Sequence, residues 1–341
     1  MEFSSPHQHF TSEIVRRRCF KDAPLTLLDI GCSGGIAPLW RIYEPDLQAV
    51  GVDPVVDECA RLSAKEKNSG IRYVPAFVGL PEDHPFNRER KGRPPTERNP
   101  WARLSAAAAT DILSQRVRQE AKLPVLNTWQ SERLAVVKKL GLEELAATQH
   151  FTQVDFIKID IDGNDLEALF SGERLIRESP VLGLVLEVNF YGGDGIAEHT
   201  FHNTDRLMRS WGFDLFGLTT RKYASGAMPN RFEYDMPAQA VSGRPYQGDA
   251  LYLRDAIALE DAGQPALAPL KLLKLACLFE NFCLPDFAAE LILRHGTAMG
   301  IDPDQALDLL ARGFRNDEVG YREHMRRFRE NPASFYRSGT L

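Results

Sequence analysis

The 341-residue chain has no run of roughly 18 apolar residues, so no membrane-spanning helix is expected. Its opening stretch, MEFSSPHQHFTSEIVRRR, holds no apolar segment that could serve as a secretory leader. Positive charge is not in excess. The 41 Lys and Arg face 47 Asp and Glu, a formal net charge of -6, which excludes a globally basic nucleic-acid binder though not a local basic patch. Cysteine is scarce and odd in number (Cys19, Cys32, Cys59, Cys277, Cys283), with no CxxC pair. With 43% hydrophobic residues the chain can build a core without disulfides, so the cysteines read as small buried hydrophobes in a reducing compartment. Internal repeats and low-complexity tracts are missing as well. A soluble, cytoplasmic protein is the default expectation.

What the chain does have is alternation. LTLLDI (25–30) reads as a buried strand, GCSGG as a sharp turn, Ile36 to Ile42 as a short helix and QAVGVD (48–53) as a second strand. That is a βαβ unit, which crosses over right-handedly into a parallel sheet. The rhythm continues with a helix over Asp57–Glu66 and a strand over 71–79, then a strand over 154–160 with a helix from Asp165 to Phe170. A very apolar and therefore central strand over 181–190 follows, then a helix from Thr204 to Trp211 and strands over 213–219 and 250–254. Seven strands with interleaved helices make an α/β sandwich.

Residues 1–24 are a lead-in, 25–255 the α/β domain and 256–341 a helical extension. Within the domain, 84–130 is an Arg- and Pro-rich, then Ala-rich insertion, a length usual for a lid or substrate loop. Its RERKGRPPTER stretch reads as a solvated loop, with contact to an acidic acceptor as the sharper reading. The extension predicts helices over Pro269–Asn281, Pro285–His295 and Pro303–Ala311, the last capped by Asp302 and ended by Gly313. ALAPLKLLKLACLF (266–279) is broken only by Lys271 and Lys274 and predicts a buried helix, a dimer contact being the alternative.

The turn after the first strand, Asp29-Ile30-Gly31-Cys32-Ser33-Gly34-Gly35, brings backbone to the mouth of the sheet, where doubly wound folds bind ligands. It is not a dinucleotide fingerprint, because Ser33 and Ile36 stand where G-x-G-x-x-G needs glycine. Asp29, an acid within the strand, would repel a pyrophosphate and suits a ligand carrying an ammonium and a sulfonium. Asp53, at the end of the second strand, can accept hydrogen bonds from the vicinal hydroxyls of a ribose. Acid, glycine turn and second acid in this order resemble the S-adenosylmethionine site of class I methyltransferases.

Further on, VDFIKIDIDGNDLE (154–167) resembles the signature of FkbM-like methyltransferases, with Asp162 where that family more often has Glu. Leu186-Glu187-Val188-Asn189-Phe190, GFDLF (212–216) and GDALYL (248–253) resemble its fifth strand and closing segments. The resemblance spans roughly 25–255. It implies a Rossmann-like, seven-stranded class I methyltransferase fold and an S-adenosylmethionine-dependent O-methyltransferase acting on a hydroxyl of a sugar, glycan or related natural product. Its cofactor contacts would be Asp29, Gly31, Cys32, Ser33, Gly34, Gly35, Asp53 and Pro54.

Methyl transfer needs an acceptor oxygen held in line and relieved of its proton. Asp160, Asp162, Glu187 and Asn189 fall at the carboxyl ends of adjacent strands. Asp160 is the first candidate base and Asp162 the second; alternatively Asp160, Glu187 and Asn189 hold a divalent cation that lowers the pKa of the acceptor hydroxyl. His199 and His202 follow the fifth strand behind the glycine-rich YGGDG loop (191–195), and His199 is a further candidate base, with ordinary loop histidines as the plain reading. Asn164 with Glu167 has capping-box spacing, so Asp165 and Glu167 read as structural, and Lys158 as the partner of a neighbouring acid. The implied partner is a small-molecule or glycan acceptor. Nucleic acid is not expected, and the C-terminal helices leave an oligomer contact open. Rival readings are an N-methyltransferase of a small amine or nucleic acid, which ordinarily carries an Asn/Asp-Pro-Pro-aromatic tetrad where IDIDGND stands, a non-catalytic binding module, and a nicotinamide oxidoreductase.

Overall fold

The computed structural model describes residues 8–81, 83–86, 137–161, 165–191, 195, 197–223, 243–312 and 319–335. Most of the 84–130 insertion, Asp162, Gly163, Asn164, Gly192, Gly193 and Gly313 lie outside the described residues. The chain divides into two compact units. One comprises 26–36 and 48–254; the other comprises residues up to 25, 37–47 and 255–341.

The first unit is built on one sheet. Its strands are β1 (Leu25–Ile30), β2 (Leu47–Asp53), β3 (Ile71–Pro75), β6 (Phe156–Ile159), β7 (Gly183–Asn189), β8 (Asp214–Leu218), β9 (Arg221–Tyr223) and β10 (Arg244–Leu253). The order is β3-β2-β1-β6-β7-β10-β8, with β9 paired to β10. Strands β3 to β7 run parallel, and β10 is antiparallel to both β7 and β8. Every residue of β1 and of β7 is buried, as their unbroken apolar runs require of strands covered on both faces. Leu28, Ile30, Ile157, Ile159, Leu184 and Leu186 form the centre of the core.

Two strands differ from the sequence reading. The strand expected over 71–79 breaks after Pro75, which has no N–H to extend a ladder. Its continuation, β4 (Phe77–Val78), leaves the sheet and pairs with β5 (Lys139–Leu140). The last strand starts at Arg244 rather than at 250. Pro245 and Gly248 made 244–249 look like loop, but Pro245 sits where the pairing with β9 shifts register, and Gly248 passes so close to Thr219 that a Cβ would lie 1.9 Å from its carbonyl oxygen.

The second unit is helical. Its longest helix, Pro269–Asn281, is buried from Lys271 onward, lysines included, and Lys274 donates to the Pro24 carbonyl at 2.8 Å. Glu280, fully buried, accepts the backbone N–H groups of Phe10 (2.9 Å) and Thr11 (2.6 Å) at the start of the helix His9–Arg16. A carboxylate there satisfies amides that have no partner within their own helix. The helices Pro285–His295 and Pro303–Arg312 follow, and Asp302 caps the latter through the Gln305 amide at 3.0 Å. The short helix expected between the first two strands forms at Pro38–Arg41, but it clusters with this unit. Trp40 packs edge-on against Phe282 with ring centres 5.9 Å apart, and the Tyr43 hydroxyl accepts from Asn281 at 2.8 Å.

Candidate functional site

The turn after β1 is held open by glycine. Gly31, Gly34 and Gly35 have φ of 84, 87 and 96°, values that side chains disfavour. A Cβ on Gly31 would lie 1.8 Å from the Asp160 carbonyl oxygen, so the ends of β1 and β6 meet backbone to backbone. The turn spends its amides on the protein. Gly31 and Cys32 donate to the Val52 carbonyl, Gly35 to Cys32, Gly34 to Glu58 Oε1 and Ile36 to the Tyr73 hydroxyl. A phosphate cradle needs such amides free; this turn instead offers a side-chain-free surface against which a nucleoside can lie. Cys32 faces inward under β2, where a Cβ on Gly51 would be 2.7 Å from its sulfur, and burial pushes its thiol well above the ordinary range. Its part in a ligand site is therefore limited to its backbone. Ser33 is exposed at the tip.

Asp53 ends β2. One of its oxygens accepts the Val55 amide at 2.8 Å, which fixes the carboxylate and leaves it lone pairs for a ligand. Burial raises the pKa of its carboxyl, the Val55 hydrogen bond opposes the shift and Glu58 adds to it. Pro54 continues the turn, and Val55 and Val56 expose their apolar side chains beside it. These valines escaped the sequence reading because exposure alone makes them notable.

Next to the turn lies a row of charge on one face of the sheet. Asp29 and Lys158 are register partners across β1 and β6, and Glu187 and Asp249 across β7 and β10. Lys158 Nζ stands 3.3 Å from Asp29 Oδ1, 3.3 Å from Asp160 Oδ2 and 3.2 Å from the Gly31 carbonyl oxygen. Burial works against the lysine's charge, but Asp29 and Asp160 outweigh it and hold the ammonium above its ordinary range. Asp29 is buried, and burial raises its carboxyl against the pull of Lys158. Asp160 is the solvent-facing member, its side chain 48% exposed against 3% for Asp29. Arg221 joins the other pair, reaching Asp249 at 3.0 Å and Glu187 at 3.5 Å. Burial raises Asp249, and Arg221 opposes that shift. Lys158 drew little weight in the sequence reading and Arg221 none, since a lone cation on a strand carries no motif.

The remaining candidates sit lower. His199 is 6% exposed, with both ring nitrogens engaged. Nε2 lies 2.9 Å from the Glu187 carbonyl oxygen and must carry the proton there, so Nδ1 accepts from the Asn189 amide at 3.3 Å. The Asp165 carboxylate lies 3.7 Å from the same Nδ1. His202 is exposed, on the helix Phe201–Ser210. Asp165 accepts the Ile161 amide at 3.1 Å, and Glu167 Oε1 takes the Leu80 amide and pairs with Lys139; Asn164, its expected capping partner, lies outside the described residues. Among the described residues no group of three His, Cys, Asp or Glu converges as metal ligands do. Of the donors proposed for a cation, Asp160 lies near Lys158 and Glu187 Oε1 near Arg221, and Asn189 spends its amide nitrogen on His199 while its buried Oδ1 has no hydrogen-bond partner among the described residues.

The strand order β3-β2-β1-β6-β7-β10-β8, with its last strand inserted antiparallel, and a glycine turn closing the first strand define a class I methyltransferase fold. The family model for the FkbM methyltransferase domain matches residues 113–215, a stretch holding Lys158, Asp160 and Glu187 but not the glycine turn. Residues 113–215 thus carry a likeness to the FkbM methyltransferase domain, which together with the sheet order supports an S-adenosylmethionine-dependent methyltransferase. No curated protein matches it in sequence. Among solved structures it is similar to magnesium protoporphyrin IX methyltransferase from Synechocystis PCC 6803 with bound SAH (9% identity over 72% of this chain and 82% of that one, TM-score 0.30). It is likewise similar to precorrin-6y C5,15-methyltransferase from Geobacter metallireducens GS-15 (11%, 72% and 86%, TM-score 0.30). A third is a TehB-like SAM-dependent methyltransferase from Corynebacterium glutamicum ATCC 13032 (12%, 72% and 88%, TM-score 0.28). Likenesses this remote carry no argument; the sheet order and the domain match do.

Proposed function

We propose that the enzyme methylates a hydroxyl oxygen of a sugar, a glycan or a related natural product. The observation that carries this reading is the exposed Asp160 carboxylate, which reaches Lys158 where that lysine meets the Gly31 carbonyl of the glycine turn. The residues present suit the cofactor. Gly31, Gly34 and Gly35 hold a left-handed turn that side chains disfavour, with open space beside Gly34; Asp53 offers acceptors for ribose hydroxyls, and Val55 and Val56 offer apolar surface beside it. Asp29, buried near the end of β1, pairs with Lys158. S-adenosylmethionine, when bound, supplies an electrophilic methyl carbon.

In this reading Asp160 accepts the proton of the acceptor hydroxyl as its oxygen bonds to carbon. Glu187, Asp249 and Arg221 line the same face with hydrogen-bonding groups, which suits an acceptor rich in hydroxyls. An N-methyltransferase is disfavoured by IDIDGND at the position of the usual Pro-Pro-aromatic tetrad. Among the described residues no helix is long and apolar enough to cross a membrane, and five free cysteines support a reducing, cytoplasmic setting.

The test is transfer of tritiated methyl from S-adenosylmethionine into fractionated extract of the source cells. Label in the glycan or small-molecule fraction, lost with Asp160→Asn, supports the reading. Label confined to nucleic acid or to amines, or undiminished by Asp160→Asn, contradicts it.

A further inference from the structure

The ammonium of Lys158 has three oxygen neighbours and no polar partner to spare: Asp29 below, the Gly31 carbonyl beside it and Asp160 above. Two of the three belong to the strand and turn that hold the cofactor side, and the third is the residue facing the acceptor. A lysine that only neutralised Asp29 would have no reason to reach the solvent-facing carboxylate. One that only decorated Asp160 would not be sunk in the sheet with a side chain 16% exposed. The buried end anchors the cation, and the anchored cation restricts a side chain that is otherwise free to turn toward water.

We propose that Lys158 is a positioning residue for methyl transfer: anchored by Asp29 and the Gly31 carbonyl, it holds the Asp160 carboxylate at the edge of the glycine turn where the acceptor hydroxyl must lie. The inference rests on the reading of Asp160 as the proton acceptor. It differs from a purely structural role in one respect: the effect of Lys158 on turnover passes through Asp160. Removing Lys158 when Asp160 is already gone should then cost nothing further, because a positioning residue has nothing left to position.

The charged groups facing Lys158 are Asp29 on β1, Asp160 after β6 and, farther along the same face, Asp249 on β10. Asp249 is held by Arg221, so its own partner survives any change at Lys158. Deleting the cation exposes Asp29 as an unpaired buried carboxylate, and some loss of stability accompanies it whatever its role. The experiment must therefore separate stability, cofactor binding and turnover.

The test is a double-mutant cycle of wild type, Lys158→Met, Asp160→Asn and Lys158→Met/Asp160→Asn, each read three ways. Melting temperature reports stability, isothermal titration with S-adenosylhomocysteine reports cofactor binding, and methyl transfer from labelled S-adenosylmethionine gives kcat and KM. Expected are a kcat loss of about 30-fold for Lys158→Met, an S-adenosylhomocysteine affinity changed by less than about 5-fold, and a double variant within about 3-fold of Asp160→Asn alone. Lys158→Arg, which keeps the cation, should recover part of the turnover. Multiplying losses, or equal losses of kcat and cofactor affinity, would overturn the inference and leave the Proposed function standing. If Lys158→Met does not fold, the same cycle is run in an Asp29→Asn background, where no buried charge is orphaned. A wild type that neither binds S-adenosylhomocysteine nor transfers methyl overturns both.

Discussion

Gly31 and Asp160 meet so closely that a single Cβ on the glycine would stand 1.8 Å from the aspartate's carbonyl oxygen. This contact joins the ends of β1 and β6 and sets Asp160 beside the glycine turn. Gly31→Ala must therefore strain a φ of 84° and displace backbone at the same time. A left-handed conformation alone costs a non-glycine residue about 1–2 kcal/mol, so a total loss of at least about 2 kcal/mol is expected. Chemical denaturation measures it, and S-adenosylhomocysteine affinity should fall with it; a variant of wild-type stability would refute the close approach.

Asp160→Asn removes the proton acceptor and keeps the shape. General-base contributions run at about 10²–10⁴-fold, and a loss of kcat in that range is expected with little change in S-adenosylhomocysteine affinity. Steady-state kinetics beside a binding titration give both quantities. A variant that loses affinity and keeps kcat would move Asp160 from the acceptor to the cofactor.

His199 gives a contrasting expectation. With Nε2 bonded to the Glu187 carbonyl and Nδ1 covered by Asn189, it ties strand to loop. His199→Gln should lower the melting temperature by a few degrees, as the loss of about 1 kcal/mol of hydrogen bonding implies, and reduce kcat by less than about 10-fold. Loss of turnover comparable to that of Asp160→Asn, in a folded variant, would favour it as the base.

Glu280 links stability to pH in the helical unit. Burial raises its carboxyl above the ordinary value of about 4.3, and the hydrogen bonds from Thr11, Phe10 and His9 only partly offset this. A raised acid favours the folded state below its unfolded pKa, and that contribution is lost as pH rises through the folded value. Wild type should therefore lose stability from this group as pH climbs out of the ordinary carboxylate range, and Glu280→Gln should remove that part of the slope. Melting curves between acid and neutral pH compare the two; parallel curves would contradict the assignment.

How much of this was legible beforehand follows from what each feature depends on. β1, β7 and the helices Asp165–Phe170, Pro269–Asn281 and Pro285–His295 are local: apolar runs, a proline at the first turn and an acid at the start mark them in the sequence. The glycine turn after β1 and Asp53 at the end of β2 were legible because each closes an apolar strand. Lys158 mattered only once the register set it opposite Asp29, and Arg221, opposite Gln247, only once its side chain reached Asp249; no spacing along the chain encodes pairing between strands this far apart. The same limit hid the capture of Trp40 and Tyr43 by the helical unit: the segment is an ordinary crossover until Phe282 and Asn281 arrive from the other end of the chain.

Isothermal titration of S-adenosylhomocysteine into wild type and Asp53→Ala bears most directly on the pocket itself. The Asp53 carboxylate accepts the Val55 amide at 2.8 Å, a local turn contact whose loss should leave the fold intact. A single site in the wild type, weakened at least about 10-fold by the substitution (about 1.4 kcal/mol, one charged hydrogen bond), is the predicted result. No binding by the wild type, or equal affinities in the two proteins, would contradict the account.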